Sequence, residues 1–509
     1  AQLGQLHRAF AAAATGRAAV CRVIGSSGAG KTALVHRFID ELAADRDVTV
    51  LAGRCYEQES VPYKTVDNVV DALASHLVRM PPDDAARLAP EELPALLRVF
   101  PIFERVSAWT DAAPGAESHD PRALRQQAFA ELRQLLVRVS RRRPLLVYID
   151  DVQWGDLDGA SLLSELLSPP DGLHLLLVLA YRSEDEAQTP CLAALGASPA
   201  IREASQVGGT IRVDAMTSDE TAALALELIG RDRPDAAARA AWVVRESQGN
   251  ALFIHELVRD LESGDGVVSG DAPPLDDVLW RRVCKLDDDA RALVEIISVA
   301  AQPIRLRDAQ LAAGVPLMPP EVVTGLRAEQ LVRGSGPSLD DDIQAFHDRI
   351  RESVVAHLSA ETLRDHHHRL AICLETTAAP ETLAAHWRGA GDLARAAERY
   401  LAAADLAVRA LAFERAEGFY RQAGELAHTD AARAEVWEKM IHYYTNLARF
   451  ADAYEVAREA VRRFGVELPA KFVPPLFAAD LARAAIRLRG RAPERLLELP
   501  TASDERVVL

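Results

Sequence analysis

The stretch Gly25-Ser26-Ser27-Gly28-Ala29-Gly30-Lys31-Thr32 fits the pattern GxxxxGK[ST] at every position. Ala18 to Ile24 before it is an apolar run of strand length. Thr32 to Ala43 after it carries Leu34, Val35, Phe38, Ile39 and Leu42 at helical spacing. Strand, glycine turn and helix in that order form an anion cradle. The glycines let successive backbone N–H groups turn inward, and the helix adds the positive end of its dipole. In such a loop Lys31 reaches the β- and γ-phosphates of a nucleotide, and the Thr32 hydroxyl ligates Mg²⁺.

Working outward, Val48 to Ala52 reads as a second strand, Lys64 to Val78 as a helix, and Met80 to Asp120 as a Pro- and Asp-rich insertion with a helical piece at Leu93 to Trp109. Arg122 to Val139 is an amphipathic helix, closed by Arg141-Arg142-Arg143 where the helix dipole favours cations. Leu145-Leu146-Val147-Tyr148-Ile149-Asp150-Asp151 has the unbroken apolar character of a strand buried on both faces of a parallel sheet. Its acids fall at the carboxyl end, where open α/β sheets bind ligands. Asp150 is expected to hold Mg²⁺, directly or through water, and Asp151 to orient or deprotonate an attacking water; the alternative is a solvated pair at a strand end. Leu173 to Ala180 is a further strand that ends in Tyr181-Arg182. Arg182 there is placed either to sense a γ-phosphate or to cap the sheet edge.

The run Ile149-Asp150-Asp151-Val152-Gln153-Trp154-Gly155-Asp156 resembles the second nucleotide motif of STAND ATPases, the AAA+-related signalling switches of bacterial regulators and immune receptors. Gly53-Arg54-Cys55-Tyr56 and Val61-Pro62-Tyr63 resemble, more narrowly, the ATPase portion of bacterial serine/threonine kinase–ATPase fusions. The resemblance implies a first sensor at Arg182. It also implies a helical lid whose Gly-Asn-Pro junction packs proline on adenine; here the junction reads Gly249-Asn250-Ala251, so Ala251 departs from the pattern. The lid would contain helices at Thr221 to Ile229 and Ala236 to Ser247, entered through an N-cap at Thr217 or Ser218. After a Gly- and Ser-rich linker from Ser263 to Pro274, helices at 275–286, 289–300, 306–313 and 320–331 precede a hairpin from Gly334 to Phe346, a winged-helix pattern. Phe346-His347-Asp348 resembles the histidine motif of nucleotide-binding immune receptors. That implies His347 on the β-phosphate of ADP, locking a closed state, against the plainer reading of a helix-start histidine.

The remainder is alanine-rich and helical. Tyr420 and Tyr454 stand one tetratricopeptide period apart, as expected of degenerate helical-hairpin repeats that offer a concave surface to protein partners. His366-His367-His368 point different ways on a helix and do not make a metal site.

The chain has 509 residues, a length that suits about three to five domains, and a formal charge of -17. That balance excludes bulk electrostatic binding to nucleic acid or anionic membranes. The winged-helix region itself, Leu275 to Thr362, carries ten Lys and Arg against fifteen Asp and Glu. Five scattered cysteines suit a reducing cytoplasm. The longest apolar run, Leu173 to Tyr181, is too short to span a bilayer. The alanine-rich Phe10 to Ala14 lacks the leucine-rich core of a signal peptide, and a start at Ala1 suggests a piece of a longer polypeptide.

The expected architecture is an α/β P-loop core with a parallel sheet (1–208), a helical lid (209–265), a winged-helix domain (272–362) and an all-α tetratricopeptide-like arm (363–509). The expected ligands are ATP or ADP with Mg²⁺. Gly25, Ser26, Ser27, Gly28, Ala29, Gly30, Lys31, Thr32, Asn250, Ala251 and His347 would bind the nucleotide, and Lys31, Asp150, Asp151 and Arg182 would serve slow hydrolysis. The expected role is a nucleotide-dependent switch within a larger regulatory protein. It would have protein partners on the arm, nucleotide-dependent self-association, and no nucleic-acid or membrane partner. The alternative is a nucleotide-stabilised scaffold without significant turnover.

Overall fold

The computed structural model describes residues 2–45, 48–57, 62–109, 120–168, 173–262, 274–316, 318–463 and 465–469. The expectations that fall on Ala1, on Val61, on the linker residues 263–273 and on the stretch beyond Pro469 lie outside these residues.

Five parallel strands, β1 (Ala19–Gly25), β2 (Thr49–Arg54), β3 (Leu145–Asp150), β4 (Leu175–Arg182) and β5 (Thr210–Arg212), form one sheet in the order β2-β3-β4-β1-β5. Every residue of β3 and β4 is buried. Alternate side chains feed two separate cores. Leu145, Val147, Ile149, Leu177 and Leu179 face one. Leu146, Tyr148, Leu176 and Val178 face the other, against Val35, Phe38 and Leu42 of the helix Lys31–Asp45. This is the expected P-loop core, with a parallel sheet covered by helices on both sides.

Register decides what the carboxyl edge presents. Gly25 of β1 lies opposite Arg182 of β4, and Arg54 of β2 lies opposite Asp150 of β3. The glycine loop, an arginine, the acid pair and a second arginine therefore end four neighbouring strands side by side.

One element goes beyond the sequence expectation and two differ from it. The alanine-rich amino end is a helix, Gln2–Ala13, whose Leu6, Phe10 and Ala13 bury against the sheet. Residues 210–212, expected to open the lid, pair with β1 and extend the sheet past position 208. Helix Pro320–Ala328 stops before Leu331, because Val332–Gly334 (β7) pairs with Asp342–Ala345 (β8); the two-residue β6, Ile304–Arg305, adds a third strand. That small antiparallel sheet shares a core with helices Leu275–Cys284, Asp288–Ala300, Leu306–Ala313, Pro320–Ala328 and Asp348–His357. The helix Ala360–Cys373 runs unbroken across position 363 and sends Leu370 and Ala371 into the same core.

Between sheet and wing, helices Ser218–Ile229, Ala236–Ser247 and Ala251–Glu262 share a core of their own. Thr217 and Glu220 close a capping box on the first of them.

The carboxyl-terminal helices pack as successive hairpins from Pro380 to Arg463 and fold back onto the core. One hydrophobic cluster runs without a break from β3 and β4 to Tyr400, Phe419 and Tyr443. The Tyr63 hydroxyl donates to the Leu411 carbonyl at 2.9 Å. Asp158, fully buried, accepts from the Arg415 N–H at 2.9 Å and from Arg125 at 3.1 Å. Helix Phe413–Leu426 begins after Ala412 with no side-chain cap of its own, so Asp158 caps it across the interface.

Asp158→Ala is expected to cost about 2 kcal/mol, from the lost cap and the lost contact to Arg125, which keeps Glu414, and to loosen the arm. Tyr63→Phe should cost about 1 kcal/mol. Thermal melts with limited proteolysis between Leu411 and Phe413 check both; equal protease resistance in Asp158→Ala and the wild type would contradict the assignment.

Candidate functional site

A cavity of about 700 Å³ opens at the carboxyl edge of the sheet, between the glycine loop, the lid and the wing. Gly28 and Gly30 take positive φ, 78° and 100°, a backbone that side chains rarely adopt. At Gly28 there is also no room, since a Cβ would meet Asn250 and Leu252 at 2.9 Å. The lid holds the loop through backbone and side chain: the Leu252 N–H donates to the Gly28 carbonyl at 3.1 Å, and Asn250 Nδ2 to the Ser27 carbonyl at 2.9 Å.

Lys31, 7% exposed, folds its ammonium back on the Gly25 and Ser26 carbonyls at 2.8 and 2.9 Å. Burial pushes its amine down, against the pull of Asp151, Asp150 and Glu184. Thr32 Oγ1 donates to Asp150 Oδ2 at 2.8 Å. Burial and the adjacent Asp151 push the Asp150 carboxyl up, so it sits in a place that favours a nearby cation. A hydroxyl and a carboxylate side by side are a fitting pair for Mg²⁺, which takes few protein ligands and completes its shell with phosphate and water.

Asp151 leaves β3 in the left-handed region at φ 53°. Both its oxygens are taken: Oδ2 by Arg54 Nε at 2.7 Å, Oδ1 by Gln153 Nε2 at 2.9 Å. Arg54 then reaches Asp348 Oδ1 with Nη2 at 3.1 Å. Arg182 Nη2 takes the other oxygen, Asp348 Oδ2, also at 3.1 Å, and its Nη1 takes Glu352 at 2.6 Å. One carboxylate of the wing's last helix is thus gripped by the arginines that end β2 and β4. Burial alone would raise the Asp348 carboxyl, but Arg54, Arg182 and Arg351 outweigh it and hold it below the usual range.

His347 caps that same helix: its Nδ1 accepts from the Arg349 N–H at 3.1 Å. The proton of the neutral ring therefore belongs on Nε2, leaving a donor for the cavity that His347 lines. Burial, helped by Arg54 and Arg182, pushes the ring down to about 4.

Of the residues named from sequence, Ser27, Gly28, Gly30, Lys31, Thr32, Asp150, Asp151, Arg182, Ala251 and His347 line this one cavity. Gly25, Ser26 and Ala29 shape the loop from behind: two lend carbonyls to Lys31, and Ala29 joins the core under the sheet. Asn250 braces the loop at Ser27. Arg54, Glu184 and Glu352 received no role from the sequence, nor did Asp348, although its motif was in view. The available signal was an arginine placed at a strand end, as for Arg182.

Residues 1–178 match the AAA ATPase domain family. The match covers the P-loop and the first four strands of the sheet up to Val178. This agrees with the STAND-class P-loop resemblance at Ile149 to Asp156; nothing bears on the narrower likeness to kinase fusions. No curated protein matches the chain. Among solved structures it is similar to a STAND protein with a tetratricopeptide repeat sensor from Pyrococcus horikoshii, at 13% identity over 87% of this chain and 62% of that one, TM-score 0.46. The chain thus spans 62% of that protein's length. It is also similar to a Walker-type ATPase of Pyrococcus abyssi (13% identity, 70% and 94% coverage, TM-score 0.28) and to Drosophila ORC bound to DNA (13%, 69% and 83%, 0.28). None of the three bears on ligand or partner. No helix among the described residues is long and apolar enough to cross a membrane.

The His347 shift sets a pH dependence. Its ring titrates near 6.5 when unfolded and about 4 when folded, so the unfolded chain binds the proton first and stability falls as pH drops from 6.5 toward 4. The loss amounts to about 3 kcal/mol. His347→Asn keeps a capping acceptor and should flatten the slope in acid-side thermal melts without abolishing it, since burial also depresses His367 and His386.

Proposed function

We propose that the chain is an ATP- and ADP-binding signalling ATPase that works as a conformational switch within a larger regulatory protein. The observation that carries this reading is the shared grip on Asp348. Arg54 and Arg182 belong to the nucleotide-binding sheet, yet in this closed arrangement their charge is spent on a carboxylate of the wing's last helix. A γ-phosphate entering beside Lys31 offers the same two arginines a better partner, with more charge and three oxygens. ATP therefore competes with the docked wing, whereas ADP leaves the grip intact and offers its β-phosphate to Lys31 and to the His347 Nε2–H. Swinging such an equilibrium from 1:99 to 99:1 needs about 5.5 kcal/mol of differential affinity. Exchanging several buried charge-assisted contacts is of that order.

In this reading Thr32 and Asp150 hold Mg²⁺, which neutralises phosphate charge when bound. Asp151 orients or deprotonates the attacking water, and Arg182 steadies the charge that moves to the leaving group. With both Asp151 oxygens engaged, the closed form hydrolyses slowly, and turnover acts as a timer. The modules are those expected from the sequence, with β5 kept in the first. The arm binds protein partners, self-association follows nucleotide exchange, and the acidic wing does not bind DNA. The working compartment is the cytoplasm.

A second reading is favoured by the unbroken hydrophobic cluster between sheet and arm. A core shared so widely suits a nucleotide-stabilised scaffold in which the arm never leaves.

Three variants test this. Lys31→Ala should weaken both nucleotides on the order of 100-fold in titration calorimetry; unchanged affinity would falsify the cradle. Asp348→Asn should weaken the hold of the helix Asp348–His357 on Arg54 and Arg182, which keep Asp151 and Glu352, shift preference from ADP toward ATP and enlarge the particle in solution scattering. Asp151→Asn should cut steady-state hydrolysis on the order of 100-fold, and no turnover in the wild type would favour the scaffold.

A further inference from the structure

Glu184 stands two residues past Arg182, in the short turn Ser183–Asp185 that follows β4. Its Oε1 accepts the Ser27 N–H of the glycine loop at 3.2 Å, and its Oε2 accepts the Ser183 hydroxyl at 2.9 Å. The Ser27 carbonyl accepts from Asn250 of the lid at 2.9 Å. One residue of the cradle is thus clamped between the sheet edge and the lid. An anion cradle works by turning its N–H groups toward the ligand. Here the Ser27 donor is already spent on a carboxylate of the protein itself.

Burial would raise the Glu184 carboxyl, but its own backbone N–H, Ser183, the Ser27 N–H and Lys31 outweigh it and hold it ionised. A negative charge therefore lies within electrostatic reach of the same ammonium that is to receive the phosphates. It does so from the strand end that carries Arg182, and the β1–β4 register sets that end beside Gly25.

Resting on the nucleotide-binding reading above, we propose that Glu184 is a specificity-determining residue of that site. Its carboxylate competes with the terminal phosphate of a nucleoside triphosphate for the Ser27 N–H, and so biases the closed form toward the diphosphate. ADP presents one phosphate fewer to this side of the cradle and can leave the Glu184–Ser27 bond standing. ATP has to displace the carboxylate and then lie next to it. Glu184 is exposed, so its side chain can turn into solvent at small cost; the bond acts as a gate rather than a block. Arg182 and Glu184 then form an opposed pair on one turn, the first rewarding a γ-phosphate and the second resisting it.

The test uses the full chain with fluorescent ATP and ADP analogues and Mg²⁺, in wild type, Glu184→Gln and Glu184→Ala. Gln keeps the acceptor and removes the charge; Ala removes both. Because the side chain lies on the surface, both variants should fold, which thermal melts check. Glu184→Gln should tighten ATP on the order of tenfold and ADP clearly less. Glu184→Ala should do so at least as strongly, and the gain should shrink as salt rises. An ATP-to-ADP affinity ratio that stays at the wild-type value, or one that falls, overturns the proposal and leaves the switch reading in place. A wild type that binds neither nucleotide overturns both.

Discussion

The carboxylate of Asp348, divided between Arg54 and Arg182, is the contact that ties the edge of the sheet to the helix Asp348–His357. Neither arginine is far from another acid, since Arg54 also holds Asp151 and Arg182 also holds Glu352. These pairs are largely withdrawn from water, where breaking one costs more than a surface pair is worth. The sheet, the wing and the acid pair are therefore electrically one object. Disturbing any corner of it is felt at the others, over a sequence separation of nearly the whole nucleotide-binding core, lid and wing.

That arrangement has a geometric origin in the parallel sheet. Parallel strands put all their carboxyl ends on one edge, where the register sets Arg54 opposite Asp150 and Gly25 opposite Arg182. Side-chain chemistry does the rest. The glycine loop supplies donors, β3 supplies acids, and the flanking strands supply cations that keep two adjacent carboxylates tolerable in a partly buried place.

How much of this could be read from the chain depended on how local each signal was. The cradle and β3 were legible, because glycine spacing and an unbroken apolar run are properties of eight or fewer consecutive residues. Arg54 was not, because its importance comes from pairing across the sheet and from Asp348, 294 residues away. The helix Gln2–Ala13 was visible only as an alanine-rich stretch, although Leu6, Phe10 and Ala13 recur at helical spacing. The strand β6 has two residues, too few for alternation to register. Asp158 lies in the first turn of the helix Leu157–Leu166, and only the tertiary fold turns it toward a different helix.

That borrowed cap has a mechanical consequence. A helix whose first N–H groups are satisfied by another module cannot keep its opening turn intact once the two part, so the start of Phe413–Leu426 would fray as the arm swings away. Detachment and local melting then become one event. The freed arm would meet a new partner with unsatisfied donors at its base, ready to be capped by an acid supplied from outside.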